Sequence, residues 1–171
     1  MKPIFFILMI SSIFSACLKA DVEPLYNSTE TVVAIPNSNW PSATSFLNDS
    51  VFDAASTTAK INLYARVLLP EPLTNNLKIT FKKDLSLVDE YNNKWFGGFP
   101  FYTALPDSAF QLPSLQLTIP AGSRQALIPI TIYPNKMGMW QGYILAFTIT
   151  EAEGNKIGSN FKSMVYSMMA Q

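Results

Sequence analysis

Short runs in which apolar and polar residues alternate recur from residue 32 onward. Every second residue is apolar in segments 61–67, 77–82 and 115–119. A period of two buries one face of a β-strand and leaves the other face in water. Proline and glycine separate the runs at the spacing of a β-sandwich. The pattern predicts an all-β fold, an immunoglobulin-like antiparallel β-sandwich of about seven strands.

Five features of the sequence refine this architecture. Segment 86–95 has helical spacing, and Ser86 with Asp89 resembles a capping box, which predicts one short helix crossing between the sheets. Segment 143–150 is almost entirely apolar, which predicts a central strand. Pro129 within the apolar run predicts an edge strand or a bulge. Segment 151–159 predicts a polar hairpin turn. A weaker strand is predicted at 46–52.

The N-terminus carries a secretion pattern. Lys2 precedes an apolar run, 4–14, that is shorter than the roughly 20 residues needed to span a bilayer. Small residues and Cys17, the one cysteine, follow, and the stretch resembles a bacterial lipobox. It predicts a signal peptide at 1–16, a lipidated N-terminus and tether at 17–31 and a sandwich domain at 32–171. An ordinary signal peptide with an incidental cysteine is the alternative.

Composition argues against several classes of function. The chain has 12 basic and 12 acidic residues and no basic stripe, so nucleic acid is not an expected partner. It has no histidine, which excludes Ser-His-Asp and Cys-His catalysis and, with Cys17 acylated, ordinary zinc sites. The close acidic pairs fit a helix cap (Asp89, Glu90) and a turn (Glu151, Glu153). We expect no enzyme activity, no cofactor and no metal.

Aromatic residues supply the candidate ligand-binding site. Segment 95–102 holds five aromatic residues and two glycines. Flat aromatic faces stack on the C–H faces of sugars, and we expect Trp95 and Tyr102 to be exposed for this purpose. Trp140, between two glycines, is a further candidate. In the alternative interpretation these rings plug one end of the sandwich, where their apolar area is most stabilising.

Several short motifs occur together in one order. They are SLVDEYN at 86–92, TALP at 103–106 with Phe110 beyond it, LTIPAGS at 117–123 and a turn at 154–160. Their arrangement resembles the domain of unknown function 1735 type, an immunoglobulin-like domain of Bacteroidota lipoproteins. The resemblance implies a sandwich on surface lipoproteins that often precedes glycoside hydrolase or lectin-like modules. It implies no catalytic residues, and we expect no catalytic module after this domain.

These observations combine into one functional hypothesis. Asp21 and Glu23, close behind Cys17, resemble an export signal, so we expect an outer-membrane lipoprotein exposed on the cell surface, with the periplasmic face as the alternative. The membrane is its partner through Cys17, and a glycan or another envelope protein is its second partner. The expected role is a non-catalytic binding or accessory module in glycan capture. A structural or protein-interaction role in the envelope is the alternative.

Overall fold

A computed structural model describes residues 30–41, 50–69 and 71–171. The described residues form two β-sheets that pack face to face, with one α-helix against the outer face of the second sheet. The helix is α1 (Ser86–Phe96). The strands are β1 (Val32–Ala34), β2 (Ser50–Phe52), β3 (Ala59–Val67), β4 (Leu77–Lys83), β5 (Tyr102–Ala104), β6 (Phe110–Gln111), β7 (Gln116–Ile119), β8 (Gln125–Ile132), β9 (Gly142–Glu151), β10 (Lys156–Ile157) and β11 (Ser163–Ala170).

The two sheets confirm the predicted sandwich. The first has the order β10-β1-β3-β8-β6, and the second has the order β2-β11-β9-β4-β7, with β5 also paired to β9. Most neighbours are antiparallel, as predicted, but three short strands run parallel to their partners: β10 to β1, β2 to β11 and β5 to β9. Two 3-10 turns, Asp107–Ala109 and Pro134–Lys136, lie in the connections.

Strand β9 is buried on both faces, which explains its apolar sequence. Leu145 and Phe147 point into the core between the sheets. Ile144 and Ala146 point the other way, into a second cluster beneath α1. A strand covered on both faces needs a continuous apolar run. The predicted central strand is confirmed, and the helix is the reason that the run does not alternate.

The predicted helix is confirmed, but its predicted start and path are wrong. The N-cap is Leu85, which makes no side-chain capping bond, and the Ser86 hydroxyl instead donates to Asp84 Oδ1 at 2.8 Å. The capping box fails because Asp84, just before the helix, competes for that hydroxyl. The helix also joins β4 to β5, two strands of one sheet, so it covers that sheet and does not cross between sheets.

Two predictions about strand β8 and the following hairpin have different outcomes. Strand β6 pairs only with Thr131 and Ile132 of β8, so the edge of β8 that faces β6 has no strand partner at Pro129. The proline predicted such an open edge. The predicted hairpin is confirmed, since β9 and β11 pair antiparallel and the chain turns at Gly154, but segment 151–159 is more than a turn. Strand β10 lies within it and pairs with β1 of the other sheet, because Ile157 packs against the core.

The predicted signal peptide, Cys17 and all but the last two residues of the predicted tether lie outside the described residues. Of the weak strand predicted at 46–52, residues 50–52 form β2 and the rest also lie outside them. Within the described ranges, no helix has the length and apolar character to cross a bilayer. The same ranges hold no cluster of three or more acidic or cysteine side chains that could bind a metal ion.

Candidate functional site

Asn92 fixes the point at which the aromatic loop returns to the sheet. Its Nδ2 donates to the carbonyl oxygen of Tyr102 at 2.8 Å, and its Oδ1 accepts from the Tyr102 amide at 3.0 Å. The side chain is buried. An amide can replace a neighbouring strand in this way because it carries both a donor and an acceptor. Asn92 therefore holds one edge of β5 while β9 holds the other.

Tyr102 is buried, so the prediction that it is exposed for ligand stacking is wrong. Only 2% of the residue is accessible. Its ring meets Tyr91 edge-on, with centroids 5.4 Å apart, and lies over Gly142. A Cβ at position 142 would come within 2.9 Å of Tyr102 Cδ1. The ring fills the space that the glycine leaves, a relation between distant residues that no local pattern reveals.

Trp95 is half-buried on the flank of the helix. It packs against the cluster that contains Trp40. Lys94 Nζ lies 4.8 Å from the Trp95 ring centroid and 5.1 Å from that of Trp40. Trp40 Nε1 in turn donates to Glu90 Oε2 at 3.2 Å. The structure therefore places Trp95 in a packed group that joins α1 to the N-terminal segment containing Trp40, with only part of its ring available to a ligand.

Other apolar side chains of the same region are exposed. The exposed fractions are 66% for Phe99, 40% for Phe101, 63% for Met139 and 66% for Trp140. We call these four residues the aromatic rim. Phe101 is supported from behind by Phe96, with centroids 4.7 Å apart and planes only 9° from parallel. Both interpretations of the loop sequence therefore apply. Tyr102 is part of the packed interior, while Phe99 and Phe101 are exposed to solvent, as a binding site requires.

Trp140 occupies an unusual backbone conformation. Its φ is +60°, in the left-handed region that bulky side chains rarely adopt. The turn is fastened by its own amide, which donates to the carbonyl of Ala170 at 2.8 Å, and by a bond from Gln141 N to Gly138 O at 3.3 Å. Strained residues of this kind cluster at functional sites. Trp140 is exposed, as a ligand-binding candidate must be, and its role in binding stays a prediction.

The two loops that carry the rim lie side by side. Strands β5 and β9 are parallel and neighbouring, and Tyr102 is opposite Gly142. Loops 97–101 and 138–141 enter these two strands at the same end, and adjacent strands are about 4.8 Å apart. Phe101 and Trp140 therefore lie at the same end of the second sheet, Phe101 beside β5 and Trp140 bonded to β11. Sequence reasoning selected the two segments but did not single out Phe99, Phe101 or Met139. The run of uncharged residues in both loops is the signal that could have identified them.

We expect Asn92→Asp to lower the free energy of unfolding by about 2–3 kcal/mol, because the carboxylate loses the donor for Tyr102 O and repels that carbonyl. Amide hydrogen exchange at Tyr102 should also become faster. Chemical denaturation and exchange measurements check both effects. Asn93→Asp, at the exposed neighbouring position, is the matched control. Equal stability of the two variants would contradict the role given to Asn92.

Comparison with known proteins identifies the family. A family model described as "-like, N-terminal domain" matches residues 26–156. No curated protein matches the chain by sequence. Solved structures of Bacteroides proteins share the fold at identities that support no more than the fold.

One of these structures is a Bacteroides ovatus protein provisionally described as carbohydrate-binding, with 17% identity, a TM-score of 0.59, and coverage of 80% of this chain and 36% of that one. A multidomain Bacteroides ovatus protein that includes the domain of unknown function 1735 has 14% identity, a TM-score of 0.57, and coverage of 82% and 44%. EndoBT-3987 of Bacteroides thetaiotaomicron, in complex with a Man5GlcNAc product, has 17% identity, a TM-score of 0.55, and coverage of 72% and 29%.

The chain thus spans half or less of each of these three solved proteins. The family model, by contrast, covers most of the chain, including both loops of the aromatic rim and the strands β5 and β9 that follow them. The protein belongs to this family of N-terminal domains, which its fold connects to a Bacteroides domain of unknown function.

Proposed function

We propose that this protein is a non-catalytic accessory module of the bacterial cell envelope that captures glycan through the aromatic rim. Trp140 and Phe99 are both exposed, on loops that lead into the paired strands β9 and β5. This observation carries the proposal. Large aromatic side chains are normally buried for their apolar area, and a group of them left in water marks an interaction surface.

The chemistry of the rim suits a neutral sugar. Loops 97–101 and 138–141 contain no charged residue. The rings of Phe99, Phe101 and Trp140 offer faces on which the C–H faces of a pyranose can stack. The structural neighbours are consistent with this ligand class, since one is provisionally described as carbohydrate-binding and another holds a Man5GlcNAc product.

Two of the four acidic residues considered earlier have structural partners, which supports a module that binds without catalysis. Glu90 accepts from the Trp40 indole, and Glu153 Oε2 accepts from the Lys78 amide at 2.8 Å. Glycoside hydrolysis generally requires two carboxyl groups facing each other across a cleft. Glu90 lies on the helix and Glu153 in the turn after β9, so these two belong to different surfaces.

Trp140→Asn is expected to abolish glycan binding without loss of stability. Asparagine tolerates the left-handed conformation, so the substitution relieves about 1 kcal/mol of backbone strain while removing the ring. Binding to an array of neutral glycans, together with thermal unfolding, measures the two effects separately. Leu127→Ala, which removes an exposed apolar side chain from a strand of the other sheet, is the control. Unchanged glycan binding by Trp140→Asn, or no binding by the wild type, would refute the proposal.

The lipid anchor is a separate part of the proposal. The lipobox-like sequence implies a diacylglyceryl thioether on Cys17, and two or more acyl chains hold a protein stably in a membrane. Mass spectrometry of the N-terminal peptide from membrane fractions tests it. Cys17→Ala should release the protein from the membrane, and a free thiol in the wild-type peptide would contradict the anchor.

Protein docking is the second candidate function, and one observation favours it. Gln171, the last described residue, lies beside the rim: its amide donates to Phe52 O, while Trp140 N donates to the adjacent Ala170 O. In longer relatives that carry this domain first, the following module would emerge at this surface. Retention of a co-purified envelope protein by the wild type but not by Trp140→Asn, with silent glycan arrays, would support docking.

A further inference from the structure

We infer that the aromatic rim faces away from the membrane, so that the domain serves as a spacer between its lipid anchor and its recognition surface. This inference rests on the proposed function because it takes Cys17 as the anchored residue. It goes further by assigning which end of the sandwich meets the bilayer and which end meets the ligand.

The register of the first sheet places the entry of the chain at one end. Val33 of β1 pairs with Val67, the last residue of β3. The first residue of β3, Ala59, pairs with Ile132, the last residue of β8. The chain continues from Ile132 into the turn that leads to the rim. The segment predicted to be the tether therefore joins the end of the sandwich opposite the rim.

The second sheet gives the same result independently. Strand β9 begins at Gly142, beside the rim, and ends at Glu151. The turn after Glu151 leads to β10, whose Lys156 pairs with Val32 of β1. The ten residues of β9 thus separate the rim from the entry end. At about 3.4 Å per residue this separation is roughly 34 Å.

The two ends also differ in chemistry. Four of the nine large apolar side chains that are exposed among the described residues belong to the rim. The entry end carries two contacts of charged side chains: Lys156 forms an ion pair with Glu30, and Glu153 accepts a hydrogen bond from the amide of Lys78. Aromatic side chains suit a membrane interface, so composition alone would direct the rim toward the bilayer. The chain, however, enters at the charged end, and this connection carries the inference.

Fluorescence quenching in vesicles tests the orientation. The chain beginning at Cys17 is coupled through its only thiol to a maleimide lipid in phosphatidylcholine vesicles that carry a nitroxide on the headgroup. Trp40→Phe and Trp95→Phe leave Trp140 as the only indole. A second protein carries the same substitutions plus Trp140→Phe and Gln125→Trp, which moves the indole to the first residue of β8, at the entry end.

We expect the indole at position 125 to be quenched at least about twofold more strongly than Trp140, because roughly 34 Å of strand separates the two ends. Equal or stronger quenching of Trp140 would overturn the inference and show that the rim enters the membrane interface. If the protein with Trp40→Phe and Trp95→Phe unfolds, the wild type is compared with Trp140→Phe instead. Quenched emission that is lost with Trp140 would then also overturn the inference.

This experiment separates the inference from the proposed function. Chemical coupling places the lipid on Cys17 whether or not the cell does so, and vesicles contain no glycan. Failure of glycan binding or of lipidation in cells therefore leaves the quenching result unaffected, and a quenched Trp140 leaves both of those results unaffected.

Discussion

Phe147→Ala is expected to lower the free energy of unfolding by about 3–5 kcal/mol, the cost of removing a large aromatic side chain from a close-packed core. Phe147 is 0% exposed, lies between the two sheets and meets Tyr166 edge-on, with ring centroids 6.4 Å apart. Domains of this size have a total stability of about 5–15 kcal/mol, so the loss is a large part of it.

Urea denaturation followed by circular dichroism measures the effect of this substitution. Phe161→Ala is the control, because this phenylalanine is exposed and its truncation should change the stability by no more than about 0.5 kcal/mol. A loss below about 1 kcal/mol for Phe147→Ala would mean that the core between the sheets is not packed as described.

Asp84→Asn is expected to cost about 2–3 kcal/mol at neutral pH, the range for hydrogen bonds to a charged group. Asp84 is 7% exposed. Its carboxylate accepts from Thr148 Oγ1 at 2.7 Å and from Ser86 Oγ at 2.8 Å, and lies 3.0 Å from Lys82 Nζ. These bonds join β4, α1 and β9, so the substitution weakens the attachment of the helix to its sheet.

The effect of Asp84→Asn should depend on pH. Burial raises the pKa of Asp84, but the hydrogen bonds from Thr148, Lys82 and Ser86 outweigh burial, and the pKa lies below the ordinary value of 3.8. A carboxyl whose pKa is lowered by folding stabilises the folded state above the ordinary pKa, and that stabilisation disappears as the pH falls through the folded-state pKa.

The difference in stability between wild type and Asp84→Asn should therefore be full at pH 6 and shrink below pH values of about 4. Denaturation curves of both proteins across this range measure it. Asp89→Asn, which alters an exposed carboxylate of the same helix, is the control. A difference that stays constant down to acid pH would show that the charge of Asp84 does not support the fold.

Local patterns in the sequence predicted most of the elements. The alternation in 61–67 reappears as β3, where Leu63, Ala65 and Val67 are buried. The helical spacing after Ser86 gives α1, and Pro129 marks the point where the edge of β8 is open. These predictions succeed because each depends on residues a few positions apart, whose side chains share a face of the same strand or helix.

The candidate site could be predicted only in part. The aromatic segment and Trp140 were selected correctly as a region, but exposure was assigned to Tyr102, which is buried, in place of Phe99 and Phe101. Exposure within an aromatic loop depends on what lies opposite each ring. Tyr102 is buried because Gly142, 40 positions along the chain, leaves room for its ring.

The sequence by itself determined that this chain forms a β-sandwich with one helix, because the period of its apolar residues permits few other structures. Only the tertiary structure decided that β10 crosses to the other sheet, that α1 covers β9, and that the chain enters opposite the aromatic rim. Those outcomes depend on pairing between segments far apart in sequence, and the contacts that select one pairing exist only once both segments have been brought together.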